Sequence, residues 1–240
     1  MHVDNQPLDG AVETIKKIQA KLPCRFITNT TTQSRETFHQ SLVDMGLPIS
    51  TSEIISAPYA AVLYLRQLNN PSCHLLLSEE VKSDFAEFSQ SDTKPDVVVI
   101  GDIGARWDYF IMNKVFKMLI NGAELIALHK GKYWQAEGDL QLDIGAFIAG
   151  LEYASGQTAT VVGKPSSSFF QLALAELELP AENVVIVGDD IESDVGGAKK
   201  AGLRGILVKT GKYRRELVER SDVEPDLVLK SVADLEQILD

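Results

Sequence analysis

The sequence predicts an α/β fold, in which a parallel sheet flanked by helices carries a second α/β module inserted into it. Helical and strand patterns alternate from residue 7 to residue 70, which is the order that builds parallel sheets. After Pro71 the pattern changes, because polar and acid-rich segments now separate the strands. A buried strand at residues 184–187 then runs directly into a cluster of acids, as ligand-binding strands of open α/β sheets do.

The first part of the chain alternates helix and strand. Pro7 and Asp9 predict the start of a helix over residues 7–20, in which Ala11, Ile15 and Ile18 recur at helical spacing. The following elements are predicted to be a strand at 24–27, a helix at 34–45 stopped by Gly46, a strand at 54–55 and a helix at 57–68 that ends at Asn69, Asn70 and Pro71.

Residues 71–158 are predicted to form the inserted module, and residues 1–70 together with 159–240 the first domain. Within the module, strands are predicted at 74–77, 97–100 and 125–128, helices at 109–121 and 144–155, and a loop or hairpin at 131–143. After the module, strands are predicted at 159–162, 184–187, 203–208 and 226–229, and helices at 167–178 and 232–239.

Three carboxylates follow the strand at 184–187 within a few residues: Asp189, Asp190 and Asp194. A helix is expected to begin there, with Ser193 or Asp194 as its N-cap and Gly202 as its stop. The alternative is that these acids only cap a helix and keep a loop solvated, but a single acid would suffice for that role. Because Mg²⁺ prefers carboxylate oxygens fixed on a loop, the cluster predicts a metal site.

Composition excludes several function classes. The chain has 240 residues, 45% hydrophobic and 24% charged, which is ordinary for a globular protein. Its net charge of -11 argues against nucleic acid as a partner. Cys24 and Cys73 do not form a disulfide framework, and no apolar run reaches membrane length, so a cytoplasmic setting is expected.

Polar residues follow three of the predicted strands. Thr28 and Asn29 follow the first, Lys164 another, and Asp189 with Asp194 a third. In a single parallel sheet these residues would all lie along one carboxyl edge. A hydroxyl, backbone donors, a cation and metal ligands are the set that phosphoryl transfer uses. Each signal alone is weak, since a Thr after a strand is usually a turn residue.

Four segments, in order, resemble the haloacid dehalogenase (HAD) superfamily of phosphatases, in particular its subclass IIA with a C2-type cap. They are RFITNTT at 25–31, VVGKP at 161–165, VVIVGDDIESDVGGA at 184–198 and GILVKTGKY at 205–213. The resemblance covers nearly the whole chain. It implies a Rossmann-like, HAD-like core over 1–70 and 159–240, and an α/β C2-type cap over 71–158.

The resemblance also implies roles for single residues. Thr28 and Asn29 would hold the phosphate, and Lys164 would neutralise the charge of the nucleophile and the phosphate. Asp189 would bind Mg²⁺, and Asp194 would support the metal directly or through water. Asp190 stands at a position that varies in the family and is expected to be outer shell or solvated.

One motif of the family is not found: an apolar strand ending in D-x-D-G-x-[TV]-L, whose first Asp attacks phosphorus. Residues 1–7 resemble the segment just after that motif, and Asp4, without an apolar strand before it, is not expected to replace the nucleophile. We therefore expect the true start to lie upstream of Met1 and the 240-residue chain to be inactive. A shortened, non-catalytic pseudoenzyme is the alternative.

The function expected from these observations is Mg²⁺-dependent hydrolysis of a small phosphorylated metabolite or phospho-amino acid through an aspartyl-phosphate. The alternative is a phosphate-binding protein with a regulatory role. A receiver domain fits poorly, because its acid pair should precede its Thr and Lys. Trp107, Tyr133 and Trp134 lie on cap loops that would select the substrate, although packing in the cap or in a homodimer interface is the more common role of such aromatics.

Overall fold

In the computed structural model, which describes residues 1–3, 6–136 and 139–238, helices and strands alternate much as the apolar patterns predict. The helices are α1 (Ala11–Gln19), α2 (Arg35–Asp44), α3 (Ala57–Gln67), α4 (Tyr109–Ile120), α5 (Gly145–Ser155), α6 (Ser167–Leu177), α7 (Gly197–Lys200) and α8 (Arg215–Arg220). The strands are β1 (His2–Val3), β2 (Gln6–Pro7), β3 (Phe26–Thr28), β4 (Ile54–Ser56), β5 (Cys73–Leu76), β6 (Val97–Ile100), β7 (Glu124–Ala127), β8 (Tyr133–Ala136), β9 (Asp139–Leu142), β10 (Thr160–Val161), β11 (Val185–Gly188), β12 (Arg204–Val208) and β13 (Leu227–Leu229). None of the helices in these described ranges is long and apolar enough to cross a membrane.

The chain forms two compact units. Unit 1 contains Met1–Ile27, Glu36–Ile55 and Lys164–Asp240, and unit 2 contains Thr28–Arg35 and Ser56–Gly163. The units are therefore divided at other positions than the domains predicted at 1–70 with 159–240 and at 71–158. Those domain limits stay a prediction.

Unit 1 contains a parallel three-stranded sheet in the order β11-β12-β13. Its register pairs Val185 with Arg204 and Gly188 with Leu207, so β11 ends beside the penultimate residue of β12. Strands β3 and β4 form a two-stranded sheet of their own. The parallel strands confirm the α/β class that the alternation of elements predicts.

The first helix begins later than its pattern predicts. α1 starts at Ala11, because Gly10 at its N-cap adopts a left-handed φ of 72°. Pro7, the predicted start, lies instead in β2, where it pairs with His2. The apolar face of α1 is as predicted, since Ala11 and Ile15 are both buried.

Unit 2 contains a parallel four-stranded sheet in the order β10-β7-β6-β5. All four residues of β6 are buried, which explains its uninterrupted Val-Val-Val-Ile sequence. Helices α4 and α5 pack on the sheet through Val115, Leu119, Ile148 and Leu151, which belong to one buried cluster. Strand β10 pairs with β7 in this sheet, although the sequence predicts it as a strand of the first domain.

The aromatic residues predicted on cap loops fall into two groups. Trp107 stacks on Phe147 of α5 with ring centroids 4.2 Å apart and an angle of 6° between the planes. Tyr133 and Trp134 lie on the β8–β9 hairpin and are each 42% exposed. Packing therefore explains Trp107, whereas the two hairpin aromatics remain accessible to another molecule.

Candidate active site

The turn after β11 is built around the side chain of Asp194. Asp194 is 6% exposed, and its Oδ2 accepts hydrogen bonds from the backbone N–H groups of Asp189, at 3.1 Å, and Asp190, at 3.2 Å. The carboxylate also lies against Gly188, where a Cβ atom would come within 2.3 Å of Oδ2. A glycine at the end of β11 is therefore required for the turn to close on this carboxylate.

Lys164 pairs with the same carboxylate. Its Nζ lies 2.7 Å from Asp194 Oδ1 and 3.5 Å from the carbonyl oxygen of Ile27. The side chains of Lys164 and Asp194 are 14% and 8% exposed, so the pair is largely shielded from solvent. A buried charge needs an oppositely charged partner, and here Lys164 and Asp194 are partners for each other.

The sequence predicted that Lys164 and Asp189 follow strands of one sheet, and this premise is wrong for the described residues. Lys164 follows β10, which pairs with β7, and Asp189 follows β11, which pairs with β12. Strand β10 contains only two residues, so its apolar sequence could not specify a neighbour. The Lys164–Asp194 pair nevertheless joins the two segments within unit 1.

Asp190 is the N-cap of the following helical turn, a π-helical segment at Ile191–Gly196 that leads into α7. Its Oδ1 accepts from the N–H groups of Glu192, at 3.1 Å, and Ser193, at 2.9 Å. The predicted N-caps, Ser193 and Asp194, are wrong, because the turn starts earlier. Burial raises the pKa of Asp190, but the hydrogen bonds from Ser193 and Glu192 and the charge of Lys212 together outweigh it, so this pKa lies below its usual value.

The pKa of Asp189 is shifted in the opposite direction to that of Asp190. Burial raises its pKa, and the nearby charge of Asp194 raises it further. Its Oδ2 accepts a hydrogen bond from the N–H of Lys212 at 3.1 Å, and Oδ1 takes part in none of the described hydrogen bonds. A carboxylate that is partly buried beside another carboxylate, with one oxygen uncommitted, is chemically suited to a cation.

The predicted metal ligands are therefore not equivalent in the structure. Asp189 offers an uncommitted oxygen, whereas both oxygens of Asp194 hold Lys164 or backbone N–H groups. Over residues 1–3, 6–136 and 139–238, no group of three or more His, Cys, Asp or Glu side chains is arranged to hold a metal ion. Asp189 thus fits one position of a Mg²⁺ site whose other ligands would be water, substrate or further groups. The prediction about Asp4 lies outside the described residues.

Thr28 and Asn29 belong to unit 2 and begin a loop at the end of β3. Thr28 Oγ1 lies 2.8 Å from Thr30 Oγ1 and accepts from the N–H of Thr30 at 3.1 Å. The buried Thr31 accepts from the N–H of Asp102, which follows β6, at 3.3 Å. The loop is thereby held at the carboxyl end of the unit 2 sheet. The structure brings Lys164, Asp189 and Asp194 together in unit 1, and the phosphate-binding role of Thr28 and Asn29 stays a prediction.

Two contributors to this site were not predicted. The N–H of Lys212 and the glycine before it contact Asp189, although they are distant in sequence. The signals were the dipeptide Gly211-Lys212 after a predicted strand, which marks a turn, and the family-like segment at 205–213 that contains it. Neither indicates what the turn contacts.

Comparison with protein families agrees with this architecture. Residues 1–90 match a family described as haloacid dehalogenase-like hydrolase, and residues 161–235 match one described as HAD-hydrolase-like. Among curated proteins, haloacid dehalogenase-like hydrolase domain-containing protein 2 of Bos taurus is 39% identical over 96% of this chain and 88% of its own length. Phospholysine phosphohistidine inorganic pyrophosphate phosphatase of Danio rerio is 42% identical over 86% of this chain and 77% of its own.

Solved structures show the same fold. The p-nitrophenyl phosphatase from Archaeoglobus fulgidus superposes with a TM-score of 0.92 at 28% identity, covering 99% of this chain and 95% of that one. NagD from Escherichia coli K-12 gives a TM-score of 0.86 at 27% identity, covering 98% and 93%. The match extends over both compact units of the chain.

Proposed function

This chain belongs to the haloacid dehalogenase-like hydrolase family, in which its relatives include phosphatases, and we propose that it is a Mg²⁺-dependent phosphatase. The substrate would be a small phosphorylated metabolite or a phospho-amino acid. Hydrolysis would proceed through an aspartyl-phosphate, which divides one difficult displacement into two easier steps. The observation that carries the proposal is the arrangement of Lys164, Asp194 and Asp189 in unit 1.

Each side chain of this arrangement has a defined task. Asp194 holds the ammonium group of Lys164 at 2.7 Å, so this ammonium group is oriented before a substrate binds. Lys164 would then neutralise charge on the phosphoryl oxygens. Preorganised charge of this kind stabilises a transition state more strongly in a site that excludes water than it would in water. Thr28 and Asn29 would bind the phosphoryl group through their side chains. Mg²⁺, bound by Asp189, would supply positive charge between enzyme and phosphate.

The substrate class is supported by the relatives. The Danio rerio relative is named for phospholysine, phosphohistidine and inorganic pyrophosphate, and the Archaeoglobus fulgidus structure for p-nitrophenyl phosphate. We propose that this chain acts on the same kind of small phosphate compounds. Tyr133 and Trp134, exposed on the hairpin of unit 2, are the residues we propose to contact the leaving group.

A panel of these four compounds at saturating Mg²⁺ tests the proposal. It is best run on two forms, the 240-residue chain and a form extended upstream by the codons before Met1, each with Asp189→Asn as the matched control. Phosphate release that needs Mg²⁺ and is lost in Asp189→Asn would support the phosphatase; we expect it from the extended form if that form supplies the nucleophile, and not from the 240-residue chain. Phosphate binding without turnover in either form would instead favour the pseudoenzyme.

We further propose a cytoplasmic homodimer. The free state of Cys24 and Cys73 is consistent with a reducing compartment. Tyr109 and Phe110 of α4, which are 75% and 79% exposed, would suit a contact between copies. Light scattering after gel filtration should give the mass of two chains, and a monomer at all concentrations would refute the dimer.

A further inference from the structure

The turn that follows β12 is tight and depends on glycine. The N–H of Tyr213 bonds to the carbonyl of Thr210 at 3.0 Å, which closes a four-residue turn over residues 210–213. Gly211 occupies the first central position with a φ of 53°. A positive φ at this position is characteristic of type I′ and II′ turns and favours glycine.

This turn contacts the carboxylate of Asp189 at two adjacent points. The N–H of Lys212 donates to Asp189 Oδ2 at 3.1 Å. A Cβ atom on Gly211 would stand only 1.9 Å from the same Oδ2 and 3.1 Å from Cγ of Asp189. The carboxylate therefore occupies the space that any side chain at position 211 would need.

From this geometry we propose that Gly211 is a positioning residue for the cation site. The bare backbone at Gly211 lets the turn close on Asp189, so that the N–H of Lys212 fixes Oδ2 and directs Oδ1 towards the cation. The inference rests on the proposed function, because it assumes that Asp189 binds the metal. It adds that the orientation of this ligand is set by a turn on a neighbouring strand rather than by the loop that carries it.

The physical reason for such a device lies in the metal. Mg²⁺ demands near-ideal octahedral geometry, so a carboxylate that swings freely is a poor ligand for it. Groups that hydrogen-bond to a metal ligand and orient it commonly contribute about 10- to 100-fold to metal affinity. The expected effect of disturbing the turn is therefore a loss of metal affinity of that size, without loss of the fold.

The experiment measures binding of Mn²⁺, used as a probe for Mg²⁺, by electron paramagnetic resonance of the free ion. Gly211→Ala should weaken Asp189-dependent binding about 10- to 100-fold. Gly156→Ala is the matched control, because Gly156 also has a positive φ, 72°, but no atom lies within 4 Å of an added Cβ. It should bind Mn²⁺ as the wild type does.

Two further variants keep the inference testable. Gly211→Asn separates strain from contact, since asparagine tolerates a positive φ but still brings a Cβ atom against Asp189. It should bind Mn²⁺ as weakly as Gly211→Ala. If Gly211→Ala does not fold, as judged by circular dichroism, Lys212→Pro removes the N–H donor without a side chain at position 211 and should weaken binding similarly.

The outcomes are distinguishable. Wild-type binding that Asp189→Asn does not reduce would overturn the proposed metal site and this inference with it. Asp189-dependent binding that is equal in the wild type, Gly211→Asn and a folded Gly211→Ala or Lys212→Pro would overturn the inference alone. An equal loss of Mn²⁺ affinity in Gly211→Ala and Gly156→Ala would also overturn the inference, because backbone strain would then explain the effect.

Discussion

The pair of Lys164 and Asp194 is the most constrained feature of the site. Both side chains are shielded from solvent, and Asp194 is also bonded to two backbone N–H groups. A buried ion pair adds little net stability, because removing two charges from water costs about as much as their attraction returns. Removing only one partner is different, because it leaves the other charge buried and unpaired.

We therefore expect Lys164→Met to lower the free energy of unfolding by about 3–5 kcal/mol, the range for a broken buried pair. Asp194→Ala should cost a similar amount, since it also leaves the N–H groups of Asp189 and Asp190 without their acceptor. The double variant should cost clearly less than the sum of the two. Urea unfolding of all four proteins measures this coupling, and additive losses would show that the pair is not coupled.

The neighbouring acids Asp189 and Asp190 should respond to pH in opposite ways. The pKa of Asp189 is raised above its ordinary 3.8, so its contribution to stability is full below that pH and is lost as the pH rises through the folded-state pKa. The pKa of Asp190 is lowered, so its contribution is present above 3.8 and is lost as the pH falls through the folded-state pKa.

At pH 7, in the absence of metal, Asp189→Asn should therefore raise the free energy of unfolding, and Asp190→Asn should lower it. The Asp189→Asn difference should shrink as the pH approaches about 4, where this acid takes up its proton, whereas the Asp190→Asn difference should persist at pH 4 and shrink only below it. Urea titrations with EDTA at both pH values check the signs. Destabilisation by Asp189→Asn at pH 7 would mean that hydrogen bonding, not desolvation, dominates at this carboxylate.

The sequence allowed the types of the site residues to be predicted but not their contacts. Lys164 and Asp189 were identifiable because each follows an apolar strand and stands in a motif with fixed order. The bond between Lys164 and Asp194 spans thirty positions of the chain, and no local pattern specifies such a pair. For the same reason Asp194 was predicted as a metal ligand, a role that stays a proposal beside its observed bonds to Lys164 and the backbone.

At the scale of the elements, apolar runs predicted strands well and pairing poorly. The run at β6 is a strand because four apolar residues in succession fit a strand buried on both faces. Pairing depends on packing between distant segments, which is why β10 was predicted in the wrong sheet. The start of α1 was predicted too early, because Gly10 at its N-cap is left-handed and Pro7 pairs with His2 in β2.

The caps of α3 and α6 offer a matched test of element stability. Ser56 caps α3 by accepting from the N–H of Tyr59 at 3.2 Å, whereas Ser166 stands at the N-cap of α6 without a capping bond. Ser56→Ala should lower the free energy of unfolding by about 1 kcal/mol, a common value for a lost N-cap. Ser166→Ala should cost less. Thermal or urea unfolding that gave equal losses would contradict this role of the Ser56 hydroxyl.

At the scale of the whole molecule, the two units divide the candidate machinery. Unit 1 contains Lys164, Asp189 and Asp194, and unit 2 contains Thr28 and Asn29. The likeness to the p-nitrophenyl phosphatase from Archaeoglobus fulgidus covers 99% of this chain and so extends over both units. Fold does not decide activity, however, since catalysis depends on the groups present at the site.

The last prediction concerns activity of the 240-residue chain, which we expect to lack phosphatase turnover. Attack on phosphorus needs a carboxylate that is fixed in line with the leaving group and not already committed. Among the acids of the described turn after β11, Asp194 is bonded to Lys164, Asp190 caps the helical turn, and Asp189 accepts a hydrogen bond from the N–H of Lys212. The remaining groups can hold a phosphate, but binding that is equal in the ground and transition states does not accelerate a reaction.

The measurement is phosphate release from p-nitrophenyl phosphate and pyrophosphate at saturating Mg²⁺, with inorganic phosphate binding followed in parallel. We expect binding that weakens in Lys164→Met, together with release no faster than in a protein-free control. The form extended upstream should show turnover if it supplies a nucleophile. Mg²⁺-dependent release by the 240-residue chain that disappears in Asp189→Asn would contradict the prediction. It would place the nucleophile among residues that this arrangement of acids does not identify.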